Sequence, residues 1–294
     1  MTPEEIRSLP FFWSCRRRRY FHQCRLRYFL HYYAARLGRY ESCCDQLCYE
    51  AFLLDRKIPA VQFPRVVLCR TMHDMFQRYD HSPLHVRAVE NLHKEIRNML
   101  ENPGTVQQVL AELADGTEHV ADLSERLADE IQRAAVKIEQ EFWDKIDLIP
   151  HFHRRFISRP QEVMFVELQC YFVPVLALNL HGEYWILESA AAPEYADMVS
   201  CLHGLYVSNE AGMDPTRMRS LYLDENYTVR QLSLPTSPSA CIRQIQTDLD
   251  QMLAAEMEGY VTVRDFPPSP GSTCGVCQFR SYCLRNGYLP CSGS

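Results

Sequence analysis

A mixed α/β chain, with a small sheet wrapped by helices, is what these 294 residues predict. Three observations lead there. Up to Pro160, apolar residues recur at helical spacing in segments rich in Glu, Ala, Leu, Arg and Gln. After Pro160 the texture changes to short apolar or alternating runs bounded by turn residues, which read as strands. The order of helices, strands, helix, strands and helix fits a sheet core with helical cover. The chain then closes on Cys274-Gly-Val-Cys277-Gln-Phe-Arg-Ser-Tyr-Cys283, behind the Pro/Gly/Ser run from Pro267 to Ser272.

In order, Thr2 and Pro3 suit the N-cap and first position of a short helix over residues 3–9. Residues 13–37 contain no proline or glycine and predict one helix. A second helix is expected over 41–56, with Cys43, Cys44 and Cys48 read as small core residues, although Cys44 and Cys48, one helical turn apart, could chelate. Pro64 opens a third, Arg65 to Tyr79, which carries His73. Residues 83–100 and 105–146 read as a helical block, broken at Asn102-Pro-Gly104 and Gly116. Strands follow over Val163–Gln169, Tyr171–Leu180 and Glu183–Glu188, with a hairpin turn at His181-Gly182. A helix from about Glu194 to Ala211 leads to a strand pair around Asp224-Glu-Asn226. A last helix spans Ser239 to Met257.

Composition narrows the classes. The chain is 47% hydrophobic and 23% charged, as an ordinary globular protein is. Its net charge of -6 confines any nucleic-acid surface to a local patch. The start, Met1-Thr-Pro-Glu-Glu, does not read as a targeting segment, and no 18-residue apolar run occurs. The 13 cysteines, an odd number without a signal peptide, fit a reducing cytoplasm, where thiols stay free or bind metal.

Two stretches carry chemistry. Three thiolates at C-x2-C-x5-C spacing converge on one point, and zinc or an iron–sulfur cluster accepts such a set with a fourth ligand from elsewhere. Cys15 and Cys24 are the candidates for that ligand. They lie in the second stretch, where six arginines (Arg16, Arg17, Arg18, Arg19, Arg25 and Arg27) alternate with aromatic residues. Guanidinium forks suit phosphates and aromatic faces suit bases. The same pattern also fits a solvated basic helix with an aromatic core face.

These residues resemble the RecB-type PD-(D/E)XK nucleases that carry a 4Fe-4S cluster, among them the small CRISPR-associated Fe–S exonucleases and the AddB nuclease domain. Gln23-Cys24-Arg-Leu-Arg-Tyr-Phe-Leu-His-Tyr is similar to the family's first-cysteine motif, with Arg25 in place of the usual proline. Phe266-Pro-Pro-Ser-Pro-Gly-Ser-Thr-Cys274 through Cys283 is the closest match. The resemblance implies a restriction-endonuclease-like mixed sheet core flanked by helices in one domain, 1–294. Its parts would be an N-terminal basic and aromatic segment (1–60), a helical insertion (83–160), the sheet core (161–260) and an Fe–S knot (267–291). It implies a 4Fe-4S cluster on Cys24, Cys274, Cys277 and Cys283.

The family's hydrolytic site uses acidic residues, often a histidine, and a lysine around Mg2+ or Mn2+. Cys69-Arg-Thr-Met-His73 is similar to its Gly-x-x-x-His motif. Glu167 fits the glutamate before the core hairpin, and Glu188 fits the (Asp/Glu)-x-Lys motif. His73, Glu167 and Glu188 are therefore the implied divalent-metal ligands, and Glu188 the implied catalytic residue. The motif aspartate and lysine fall on Ala177 and Ala190, which bind no metal and carry no charge. Asn179, two residues past Ala177, offers an alternative oxygen. Ser200-Cys-Leu-His-Gly204 keeps neither residue of the family's Gln-x-x-x-Tyr. The expectation is a DNA-binding, Fe–S-stabilised, nuclease-like protein with attenuated or lost catalysis. It would be a subunit of a recombination, repair or defence machine, with DNA and a protein as partners and no membrane. An active DNA nuclease with a diverged site and a zinc-stapled protein-interaction scaffold are the alternatives.

Overall fold

The computed structural model describes residues 11–39, 45–78, 80–102, 108–147, 154–156, 163–180, 182–189, 195–211, 214–235, 237–257 and 263–289. The fold is mixed α/β. The backbone divides into two compact units: Met1–Phe63 with Asn98–Val120 and Thr247–Ser294, and Pro64–Arg97 with Ala121–Gln246. Both ends of the chain thus belong to the first unit. Among the described residues, no helix is long and apolar enough to cross a membrane. The expected helix at 3–9, Cys43, Cys44, His181 and Ala190 lie outside the described residues.

In the first unit, α1 (Cys15–Gln23) starts at Ser14, whose Oγ accepts from the Arg17 N–H at 3.1 Å. The expected single helix over 13–37 is broken. At Cys24 the backbone turns extended, φ -159° and ψ 109°, before α2 (Arg25–Phe29) resumes. A π-turn follows at Leu30–Ala34, then a last helical turn at Ala35–Gly38. Nothing in the residue types signals the break, because Cys24 is flanked by good helix formers. Phe21, Tyr28, Phe29 and Tyr33 face inward and, with Trp13 and Phe266, form the unit's aromatic core. The Phe29 and Phe266 rings stack at 5.1 Å.

Helix α3 (Gln46–Asp55) passes so close to Gly38 that a Cβ there would lie 1.9 Å from the Cys48 carbonyl oxygen, so only glycine fits. A short parallel pair, β1 (Lys57–Ile58) and β2 (Val109–Leu110), completes the unit's strands. β2 falls within the block expected to be helical throughout, and its two residues are too few to carry a period.

Three helices supply much of the second unit: α4 (Phe63–Arg78), α5 (Leu84–Glu101) and α6 (Val120–Ile138). α6 buries Leu123, Leu127, Ile131, Ala134, Ala135 and Ile138 at helical spacing, as its pattern predicts. The sheet runs β3 (Arg154–Phe156), β6 (Leu176–Leu180), β7 (Glu183–Glu188), β8 (Met218–Leu223), β9 (Val229–Leu232). All neighbours are antiparallel except β7 and β8. That parallel pair requires a crossover, which α7 (Ala196–Ala211) provides. After β9 the chain enters its last long helix, α8 (Pro238–Met257).

Leu180 pairs with Glu183, so β6 and β7 form a hairpin with a two-residue loop. Gly182 takes φ +82°, a left-handed conformation that favours glycine. The expected strand over 171–180 is divided. Val173–Val175 separates β5 (Cys170–Phe172), which among the described residues pairs only with β4 (Val163–Phe165), from β6. Pro174 lies at that gap, where it has no N–H to give a ladder. β3 was not expected, since Arg-Arg-Phe is too short to show alternation.

Candidate metal centre

The break at Cys24 sets the site. As N-cap of α2, Cys24 turns its sulfur toward its own helix, where Sγ accepts from the Arg27 N–H at 3.5 Å. Pro268 and Pro270 lead into a short 3-10 turn, Ser272–Val276, which carries Cys274; Cys277 caps that turn and Cys283 lies in α9 (Arg280–Arg285). All four of these cysteines line one cavity, together with Arg27 and Phe279. Cys15, the rival fourth ligand, is buried at the start of α1 and is not among the lining residues.

Backbone donors converge on the sulfurs. The Gly271 N–H donates to Cys274 Sγ at 3.4 Å, and the Phe279 N–H donates to Cys277. With the Arg27 N–H on Cys24, three of the four sulfurs receive a backbone hydrogen bond. Such bonds favour thiolate over thiol and are a lever on bound metal.

Burial acts in the opposite direction. It pushes the Cys277 thiol up, and it pushes the Cys283 thiol up to about 12, helped by the nearby sulfurs of Cys277, Cys24 and Cys274. The Arg27 guanidinium draws Cys277 back down. Bringing all four to the thiolate form in this partly buried cavity would therefore need positive charge beside them. No group of three or more His, Cys, Asp or Glu side chains among the described residues is gathered around a point where a single ion would sit. The sulfurs border a cavity instead.

The arginines divide by burial. Arg17 is 3% exposed; its fork donates to the Tyr33 hydroxyl at 2.9 Å and the Tyr28 hydroxyl at 3.3 Å and lies 3.9 Å from the Phe11 ring. Arg27 is also interior and donates to Tyr20 Oη at 3.0 Å and Gln278 Oε1 at 3.1 Å. Arg18 pairs with buried Asp248 of α8 at 2.6 Å, where the Trp13 indole N–H also donates. The expectation that all six arginines face nucleic acid is corrected here, because Arg17 and Arg27 are enclosed by aromatic rings. Arg16 is exposed, and Arg19 and Arg25 are half-buried, Arg25 lying 3.3 Å from the Phe21 ring.

The implied hydrolytic residues lie in the second unit. Ala177 is buried in β6 opposite Ile186. The Asn179 carboxamide oxygen accepts from the Gly182 N–H at 2.8 Å, so it closes the hairpin rather than offering a ligand. Glu167 is exposed on the 3-10 turn after β4. His73 is half-buried on α4, where burial holds its imidazolium below the usual range.

At the end of β7 the partners of Glu188 and its neighbour come from elsewhere. Glu188 Oε2 faces His203 Nε2 on α7 at 3.5 Å. Arg65, on α4, donates to the carbonyls of Ser189 at 2.7 Å, Leu223 at 3.0 Å and Asp224 at 2.5 Å, and so covers the ends of parallel strands β7 and β8. Sequence reasoning missed Arg65 and His203. For His203 the available signal was a histidine inside an apolar helix, a pattern that most often marks core packing.

Comparison of the chain with family profiles, with curated proteins and with solved structures finds no significant match in any of the three.

Proposed function

We propose that this chain is an iron–sulfur-stapled, nuclease-like DNA-binding protein with attenuated hydrolytic chemistry, acting as a subunit of a DNA-processing assembly. The observation that carries the reading is the cavity bordered by Cys24, Cys274, Cys277 and Cys283, residues from opposite ends of the sequence. Four cysteine thiolates suit either group, and the family resemblance favours a 4Fe-4S cluster. When bound, it would neutralise the thiolates and tie the two ends of the chain together. Cys24 would supply one ligand from the helix break and the C-terminal knot the other three. Arg27 would balance the remaining negative charge from behind.

Support for DNA binding is narrower than the sequence suggested and rests on Arg16, Arg19 and Arg25. Support for attenuation comes from Ala177, which has no ligand atom, from Asn179, engaged in the turn, and from Arg65, which covers the strand ends. The reading places the hairpin β6–β7 and helix α7 as the nuclease-like core.

Iron, acid-labile sulfide and zinc content of anaerobically purified protein is the direct test. About four irons and four sulfides per chain, lost in Cys24→Ala, are expected. One zinc and no sulfide would favour the scaffold reading instead. Absence of any metal would remove the basis of the proposal.

A further inference from the structure

We propose that Cys201 and Cys241 form a dithiol site that exchanges with a small disulfide, such as oxidised glutathione, and closes into a disulfide of its own. Both residues belong to the second unit. The proposal therefore holds whether or not the cysteines of the first unit bind metal.

Cys201 lies on α7 and Cys241 at the start of α8, and both are free thiols. The Cys201 sulfur lies 3.8 Å from the carbonyl oxygen of Pro238, in the turn of α8 that carries Cys241. The Cys241 sulfur lies 3.8 Å from the carbonyl oxygen of Asp197, in the turn of α7 that leads to Cys201. Residues three and four apart share a helix face. Each sulfur thus reaches across to the other's turn, and the two thiols are hydrogen-bonded to each other.

Access divides their roles. Cys201 is buried, whereas Cys241 is half-buried beside the exposed residues Pro238, Ser239 and Ala240. Burial pushes the Cys201 thiol up to about 12. Burial and the Asp197 carboxylate also raise Cys241, but the hydrogen bond with Cys201 draws it back down. Cys241 is therefore the sulfur that a reagent from solvent meets first. Its small thiolate fraction makes exchange slow at neutral pH, and the pair rests reduced in a reducing pool.

The Cys241 thiolate, its proton lost to water, attacks one sulfur of oxidised glutathione and expels the first glutathione thiolate. The Cys201 thiolate then attacks the Cys241 sulfur of the mixed disulfide and expels the second. The protein loses two electrons and two protons, and one small disulfide becomes two thiols. The new bond ties the crossover helix α7 to the start of α8.

Intact, anaerobically purified protein held in oxidised glutathione, then alkylated and digested for mass spectrometry, tests this. Cys201 and Cys241 are expected to lose alkylation together, and one peptide pair joined through them should appear and separate again in dithiothreitol. In Cys201→Ser the mixed disulfide should remain on Cys241, and in Cys241→Ser the Cys201 thiol should stay free of glutathione. The closed form should unfold at higher urea, because the bond spans 40 positions of the unfolded chain. The proposal is overturned if Cys241 keeps its thiol, if the mixed disulfide persists on the unmutated protein without closing, or if Cys201 pairs with its neighbour Cys170 instead. The joined peptides are mapped on the unmutated protein, so the test holds even where a variant fails to fold.

Discussion

The two units each turn an arginine and side chains of types that can bind metal inward, but they differ in completeness. In the first, four cysteines and Arg27 border one cavity, and three of the sulfurs receive backbone N–H groups. In the second, Arg65 covers the strand ends, and the expected acids are reduced to Glu188, set against His203. The donor set that would hold the fold is whole, whereas the set that would hydrolyse a phosphodiester is thinned.

The contrast breaks most sharply at Cys24. Its replacement by alanine is expected to abolish metal loading and to unfold the first unit, since structural metal binding is worth on the order of 10 kcal/mol. Protection from hydrogen exchange should then collapse over residues 13–38 while β6 to β8 stay protected. Equal loss in both units would show that they fold as one. Next in size is Asp248, buried between Trp13 and Arg18. Asp248→Ala leaves Arg18 without this partner and should cost about 3–5 kcal/mol in urea unfolding, as removal of one side of a buried pair does.

Replacement of Arg16, Arg19 and Arg25 by glutamate should weaken DNA binding and flatten its salt dependence, by about one unit of slope for each phosphate that is no longer neutralised. Unchanged binding would move the DNA surface elsewhere. The smallest effect concerns Cys170, whose thiol is pushed by burial up to about 12. A thiol raised in the folded state adds stability below its unfolded value near 9, and that contribution fades as pH rises toward 12. Thermal stability should therefore decline across that window, and Cys170→Ala should flatten the decline.

What was legible in the sequence followed from how many residues carried each signal. The long helices, the hairpin at Gly182 and the strand pair after Arg217 announce themselves by period or by turn residues. The four-cysteine set could be proposed from Cys274, Cys277 and Cys283 with a resemblance for Cys24. β3, at three residues, and the helix break at Cys24 could not be read, because tertiary packing rather than propensity decides them. The arginines were legible as a basic segment but not as separate roles. Whether a guanidinium faces water or a tyrosine hydroxyl depends on which side of α1 and α2 meets the core. His203 was hidden for the same reason, since its meaning arises only when α7 lies against β7 and β8.

The joining of the chain's ends also sets an order of events during synthesis. Arg27 and Gln278, 251 positions apart, meet beside the sulfurs. At about 5–20 residues per second, the first helices wait roughly 12–50 s after leaving the ribosome before their partner exists. Through that interval Cys24 and the aromatic face around Phe29 have nothing from the knot to close on. A messenger truncated before Cys274 yields a chain in which Arg27 never meets Gln278, so that contact reports that translation has passed that point.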